Sequence, residues 1–244
     1  LKTLTSAQIQ ALTSTQVAAL NSVQVAGLST TQMQAIESGD LRALSTAALR
    51  ALSTAQLEAL GSDQIGALST GQVAALTTGQ IAGLVSDDLN ALTTSQFRAL
   101  SSSQIVALTT AQAGALTSAQ LSGLGTSQFA AFEAVDARQL GTSALLALSA
   151  AQIGAFGTAA VAALSTEQVV FGLASDISGL GTAQVSAMGT AQVAALTTDQ
   201  IAASLGGSAG LSTEQIVTLS TSQVAALTSA QAQVMSTLQL SLLD

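Results

Sequence analysis

An apolar residue returns every eighth position along the chain. Leu4, Leu12, Leu20, Leu28, Ile36, Leu44 and Leu52 open a series that runs unbroken through Phe132, Leu140, Leu148 and Phe156 to Leu164. Counting this residue as position 0, a second apolar residue stands at position 5 (Ile9, Val17, Val25, Met33, Leu41), Ala or Gly at position 7, and most often Gln at position 4. The unit reads L-[ST]-[ST]-x-Q-[VI]-x-A-L. The spacing slips at Phe171-Gly172-Leu173, recovers at Leu180, Met188 and Leu196, then loses one residue between Ala203 and Ser208 before resuming at Leu211. Residues 1–244 therefore read as a single continuous repeat array with irregularities near 171–180 and 203–211. Internal repetition this strict is the signature of a quasi-one-dimensional fold.

Eight residues of α-helix advance roughly 800°, about 80° beyond two full turns, so one long helix would wind its apolar residues round every side. The chain must turn once per unit. Position 2 is Ser or Thr in nearly every octad, which predicts an N-cap there, its hydroxyl accepting a first-turn N–H. Position 1 carries Gly61, Gly125, Gly141, Gly157, Gly181, Gly189 and Asn21, residues that tolerate the left-handed conformation closing a helix. Acids concentrate at positions 3 and 4 and every Arg stands at position 6, complementing the helix dipole. Positions 5 and 0 then share one face of a helix of about six residues, and the small residue at position 7 lets backbones approach. Helices this short do not persist alone in water, so stacking must stabilise them. The predicted fold class is all-α, a solenoid of very short helices, one per octad, with two, three or six octads to a turn. A β-solenoid, with Gln and Ser or Thr in ladders, is the alternative. Against it, positions 5 and 0 have opposite parity along a strand, and Ala, Gln and Leu are weak strand formers.

Composition narrows the chemistry. The chain has no His, Cys, Trp, Tyr or Pro, which removes most parts of nucleophile-base pairs, thiolate chemistry and His metal sites. The closest carboxylate pairs, Asp87-Asp88 and Glu37 with Asp40, sit at helix starts, where acids are routine. The expectation is no enzyme, no metal and no cofactor. A formal charge of −8 with five cationic side chains and no aromatic stacking platform argues against nucleic acid as a partner. Ser, Thr or Gln interrupts every apolar run, so none reaches the eighteen or so residues of a membrane span.

A longer period overlies the octad. Asp40, Asp88 and Asp136 are spaced by 48 residues, as are Arg50 and Arg98, and Arg138 follows Asp136 closely. Two readings stay open: these residues make contacts between coils or between subunits, as Asp-Arg pairs, or a six-octad block was duplicated with no contact implied.

Octads of the L-S-T-A-Q-V-A-A-L kind resemble those of very long secreted or surface proteins of Gram-negative bacteria, often labelled haem-utilisation or adhesion proteins. The resemblance covers nearly the whole chain and implies an extracellular or cell-surface setting with a stalk, matrix or fibre role. It does not carry over haem binding, because His is absent and Met33, Met188 and Met235 follow the core pattern. The expected function is thus a non-enzymatic extracellular structural repeat protein, a self-assembling filament subunit or an adhesin stalk, with cell-surface or matrix attachment. The octads begin at Leu4 and the apolar pattern persists to Leu242 and Leu243. Ends without the polar cap of terminal repeats point to end-to-end self-association or to excision from a longer array. The alternative is a binding module whose Ser/Thr rows present a hydroxyl lattice to ice or glycan. A calcium-dependent version lacks the acidic, glycine-rich nonapeptide it needs.

Overall fold

One octad shows how the chain is built. Thr77 is extended (φ −73°, ψ 158°), its Oγ1 accepts the Gln80 N–H at 3.2 Å, and Gln80 Oε1 accepts the Thr77 N–H at 2.9 Å, a reciprocal capping box. The helix runs Thr78–Gly83. Leu84 then turns out of it (φ −66°, ψ 138°) while its N–H still bonds the Ile81 carbonyl at 3.2 Å. With Val85 also extended (φ −70°, ψ 154°), Leu84 and Val85 form a corner, and the next helix, Ser86–Asn90, begins.

In this computed structural model, which describes residues 1–204 and 210–243, that plan recurs with helices of four to seven residues and no strand among the described residues. The fold is an all-α solenoid of short helices. Two local expectations are corrected. The N-cap is position 1, because only a hydroxyl there stands three residues before the Gln and can close the capping box; position 2 is already helical. The position-1 glycines are not left-handed. Gly61 (φ −83°), Gly125 (φ −82°), Gly141 (φ −65°), Gly157 (φ −63°), Gly181 (φ −80°) and Gly189 (φ −70°) are extended N-caps. A corner of two extended residues needs no positive φ, and Gln64 still accepts the Gly61 N–H at 3.0 Å.

The chain divides into two compact units, Leu1–Ala115 and Leu116–Asp244. In the first, helix Thr78–Gly83 packs against Thr54–Glu58 on one side and Ser102–Val106 on the other. These lie three octads away in each direction, so a turn holds three octads. In the second, Thr142–Leu145, Gln168–Gly172, Thr190–Ala195, Thr213–Ile216 and Thr237–Leu240 stack successively in one such column. Positions 5 and 0 fill the interior, as with Val73, Leu76, Ile81 and Leu84. Position 7 is half-buried (Ala51, Ala59, Ala67) and position 6 is exposed at Ala74. The second unit also buries an aromatic cluster in which Phe129 meets Phe156 edge-on at 5.1 Å and Phe132 at 5.8 Å between ring centroids. Such pairs add about 0.5–1.5 kcal/mol beyond burial.

The irregularity near 171–180 has a specific structure. Residues Gln168–Gly172 form a π-helix, closed by the Leu173 N–H on the Gln168 carbonyl five residues back at 3.1 Å. The added residue leaves Phe171 63% exposed and brings Leu173 into the core slot that Gly172 would otherwise hold. A tight 3₁₀ turn, Ile177–Gly179, then shortens the next octad, and Leu180 is back in phase. The second irregularity, near 203–211, has residues 205–209 outside the described residues.

Close backbone approach explains two glycines here. A Cβ on Gly179 would stand 2.1 Å from the Ala150 carbonyl oxygen, and one on Gly154 would stand 2.7 Å from that of Gly179. Gly71, by contrast, is helical and faces open space. Urea unfolding followed by circular dichroism is expected to show Gly179→Ala destabilised by about 1–3 kcal/mol through overpacking. Gly71→Ala should be stabilised by about 0.4–1 kcal/mol through reduced unfolded-state entropy.

Candidate functional site

A short helix leaves unbonded N–H groups at its start and unbonded carbonyls at its end. In this chain the Gln at position 4 serves both sets. Gln80 is 3% exposed. Its Oε1 accepts the Thr77 N–H of its own helix, while its Nε2 donates to the Leu49 and Leu52 carbonyls of the preceding turn, both at 2.9 Å. The amide orientation follows from its partners, since an N–H can only donate and a carbonyl can only accept.

The arrangement is a ladder. In the first unit Gln72 donates to Leu41 and Leu44 at 2.9 Å, Gln104 to Val73 (3.1 Å) and Leu76 (2.8 Å), and Gln112 to Ile81 (2.8 Å) and Leu84 (2.7 Å). In the second, Gln168 reaches Ala137 and Leu140, Gln184 reaches Ile153 and Phe156, and Gln192 reaches Val161 and Leu164. Acceptors stand 31 and 28 residues before the donor. Beyond the missing residue near 203–211 the separations become 30 and 27, for Gln215 to Val185 and Met188 and for Gln223 to Val193 and Leu196. The ladder is therefore kept although the residue count changes. The S/T-x-x-Q spacing is the sequence signal for the capping half of this role, and no local pattern signals the inter-turn half.

The candidate contact residues divide by type. Asp40, Asp88 and Asp136 occupy the Gln position, and in the same three octads the N-cap is Glu37, Val85 or Glu133, with no side-chain cap bond. Asp40 accepts from the Ser14 hydroxyl at 2.5 Å and Asp88 from the Ser62 hydroxyl at 2.7 Å, each 26 residues back on the preceding turn. A carboxylate cannot donate, so it takes a hydroxyl donor in place of the carbonyls. Arg50, Arg98 and Arg138 are exposed on the outside of their helices. Asp136 is buried, and its pKa is raised, first by desolvation and then by the neighbouring Glu133 charge.

Surface features are shallow. An open groove of about 690 Å³ runs past Gln10, Gln34, Glu37, Ser62 and Asp63, and one of about 410 Å³ passes Phe171, Val170 and Glu167. Among the described residues no group of three or more His, Cys, Asp or Glu is placed to hold a metal ion, and no helix is long and apolar enough to cross a membrane.

Three short helices to a turn, tied from turn to turn by buried amides, define a helical solenoid repeat protein. The ALTTAQ repeat matches residues 1–30, 33–70, 81–118, 129–170 and 174–203, and the chain belongs to that repeat family. No curated protein matches it.

Two outcomes are expected. Gln80→Glu keeps the capping acceptor but sets a carboxylate against the Leu49 and Leu52 carbonyls, and chemical denaturation should show a loss of about 1–3 kcal/mol. Gln16→Glu, at an exposed site, should stay within about 0.5 kcal/mol. For Asp136, a carboxyl pKa higher in the folded than in the unfolded state makes its contribution to stability fall as pH rises from the unfolded value through the folded one. Asp136→Asn should thus raise the melting temperature at pH 7, with the gain disappearing below the ordinary carboxyl range.

Proposed function

We propose that this chain is a non-enzymatic extracellular structural repeat protein, acting as a filament subunit or adhesin stalk. The observation that carries this reading is the amide ladder, which within each unit joins successive turns with the same neutral hydrogen bonds. Neutral, buried bonds are insensitive to salt, unlike exposed ion pairs. A chain with no thiol to oxidise and 7% charged residues also suits an oxidising setting of variable ionic strength.

A second reading, a hydroxyl lattice for ice or glycan, gains from one correction to the local structure. Since position 1 does the capping, the position-2 hydroxyls are not needed for it, and Thr30, Thr54 and Thr78, exposed at one place on successive turns, face outward.

Immunogold labelling of intact cells that naturally produce the protein should decorate surface fibres or stalks, and the purified protein should show no freezing-point hysteresis. Labelling only after lysis would sink the extracellular reading; hysteresis would favour the lattice.

A further inference from the structure

Resting on the structural-array reading above, we propose that this chain binds a second copy of itself side by side, a cationic helix column of one copy docking on an acidic, apolar column of the other. The cationic column belongs to the first unit, where the helices Thr46–Arg50, Thr70–Ala75 and Thr94–Arg98 stack on successive turns. Their outward positions 3 and 6 carry Ala47 and Arg50, then Gly71 and Ala74, then Ser95 and Arg98, all exposed. Octads 44–51, 68–75 and 92–99 contain no acid. Two guanidinium groups thus stand two turns apart on a surface of small residues.

The second unit holds the complement, in the column of Gln168–Gly172, Thr190–Ala195 and Thr213–Ile216. Its exposed outward residues are Glu167 and Phe171, then Ala191 and Ala194, then Glu214 and Val217, and residues 165–171, 189–195 and 212–218 contain no base. Each carboxylate therefore has an apolar side chain in its own octad, and Glu167, Phe171 and Ala195 line the groove of about 410 Å³. These side chains face outward from packed turns. Gln168–Gly172 lies between Thr142–Leu145 and Thr190–Ala195, and Thr213–Ile216 between Thr190–Ala195 and Thr237–Leu240. The two columns match level by level. Arg50 and Arg98 are 48 residues apart and Glu167 and Glu214 are 47 apart, the same two turns once the residue lost near 203–211 is allowed for. An Arg opposite Glu167 can pair with the carboxylate while its stem and guanidinium lie over the Phe171 ring; an Arg opposite Glu214 has Val217 under its stem. At the middle level small residues face small residues, so nothing holds the columns apart. Exposed ion pairs alone bind weakly, so burial of Phe171 and Val217 supplies affinity and the charges fix the level at which the columns meet. Because the two surfaces differ and every copy carries both, the contact is heterologous and builds an array.

The test is sedimentation velocity with light scattering over a concentration series of the 244-residue chain, at about 20 mM and about 500 mM salt. The wild type should self-associate, more strongly at low salt. R50E/R98E makes both columns acidic and should raise the concentration for half-association more than about tenfold with an unchanged circular dichroism melt. E167R/E214R makes both columns basic and should do the same, yet the two variants mixed should associate with each other. The four changes combined in one chain swap the columns' charges and should restore association. The charge-matched R42E/R138E, at exposed sites outside both columns, should behave like the wild type. A wild type that stays monomeric at low salt up to about 1 mM, an R50E/R98E variant that associates at the wild-type concentration, or a mixture that does not associate overturns the contact. Labelling on intact cells is read independently, so surface labelling with a monomeric wild type leaves the array reading standing without this contact.

Discussion

The fold depends on a recurrent primary amide, the Gln at position 4 of most octads, having both ends occupied inside the stack. A helix of about five residues satisfies few of its own backbone groups, so a stack of such helices would bury unbonded donors and acceptors at every corner. Gln closes both deficits at once, accepting at the start of its own helix and donating to the end of a helix one turn back. Glu has the length but no donor, and Asn has the donor but a shorter reach. Where Asp replaces Gln, at Asp40 and Asp88, the direction of the bond reverses and a serine hydroxyl of the preceding turn becomes the donor.

This constraint is spatial and not one of residue number, which accounts for the tolerance of the array. Across the lost residue near 203–211 the acceptors move from 31 and 28 to 30 and 27 positions before the Gln, yet their chemical identity is unchanged. At 168–180 the adjustment is local: a π turn adds a residue, the following 3₁₀ turn removes one, and the core receives Leu173 and Leu180 at their proper places. Phe171 is left outside as the geometric consequence of the added residue.

The period of 48 residues acquires a physical content within the first unit. With three octads to a turn, Asp40 and Asp88 lie on the same side two turns apart, and each brings a non-hydroxyl N-cap with it, Glu37 and Val85. In these two octads the capping residue and the N3 residue both depart from the box, whereas Gly61 keeps its Gln and Ser45 keeps its hydroxyl cap without one. The inter-turn bond is retained by other means, through Ser14 and Ser62.

The one-dimensional pattern by itself determined the period and the two core positions and favoured short helices over a β-solenoid, because apolar residues at 5 and 0 share one helix face but have opposite parity along a strand. It also placed acids at helix starts, as Asp63 and Asp87 show, and bases at helix ends, as Arg50 and Arg98 show. The pattern does not fix the cap, because positions 1 and 2 carry the same residue types and only the reach to Gln distinguishes them. Tertiary structure alone decided the number of octads per turn and the role of Gln, since the groups the amide joins are 27 to 31 residues apart in the chain. No local propensity specifies that distance. It follows from how three short helices and their extended corners close a turn around side chains such as Val73, Leu76 and Ile81.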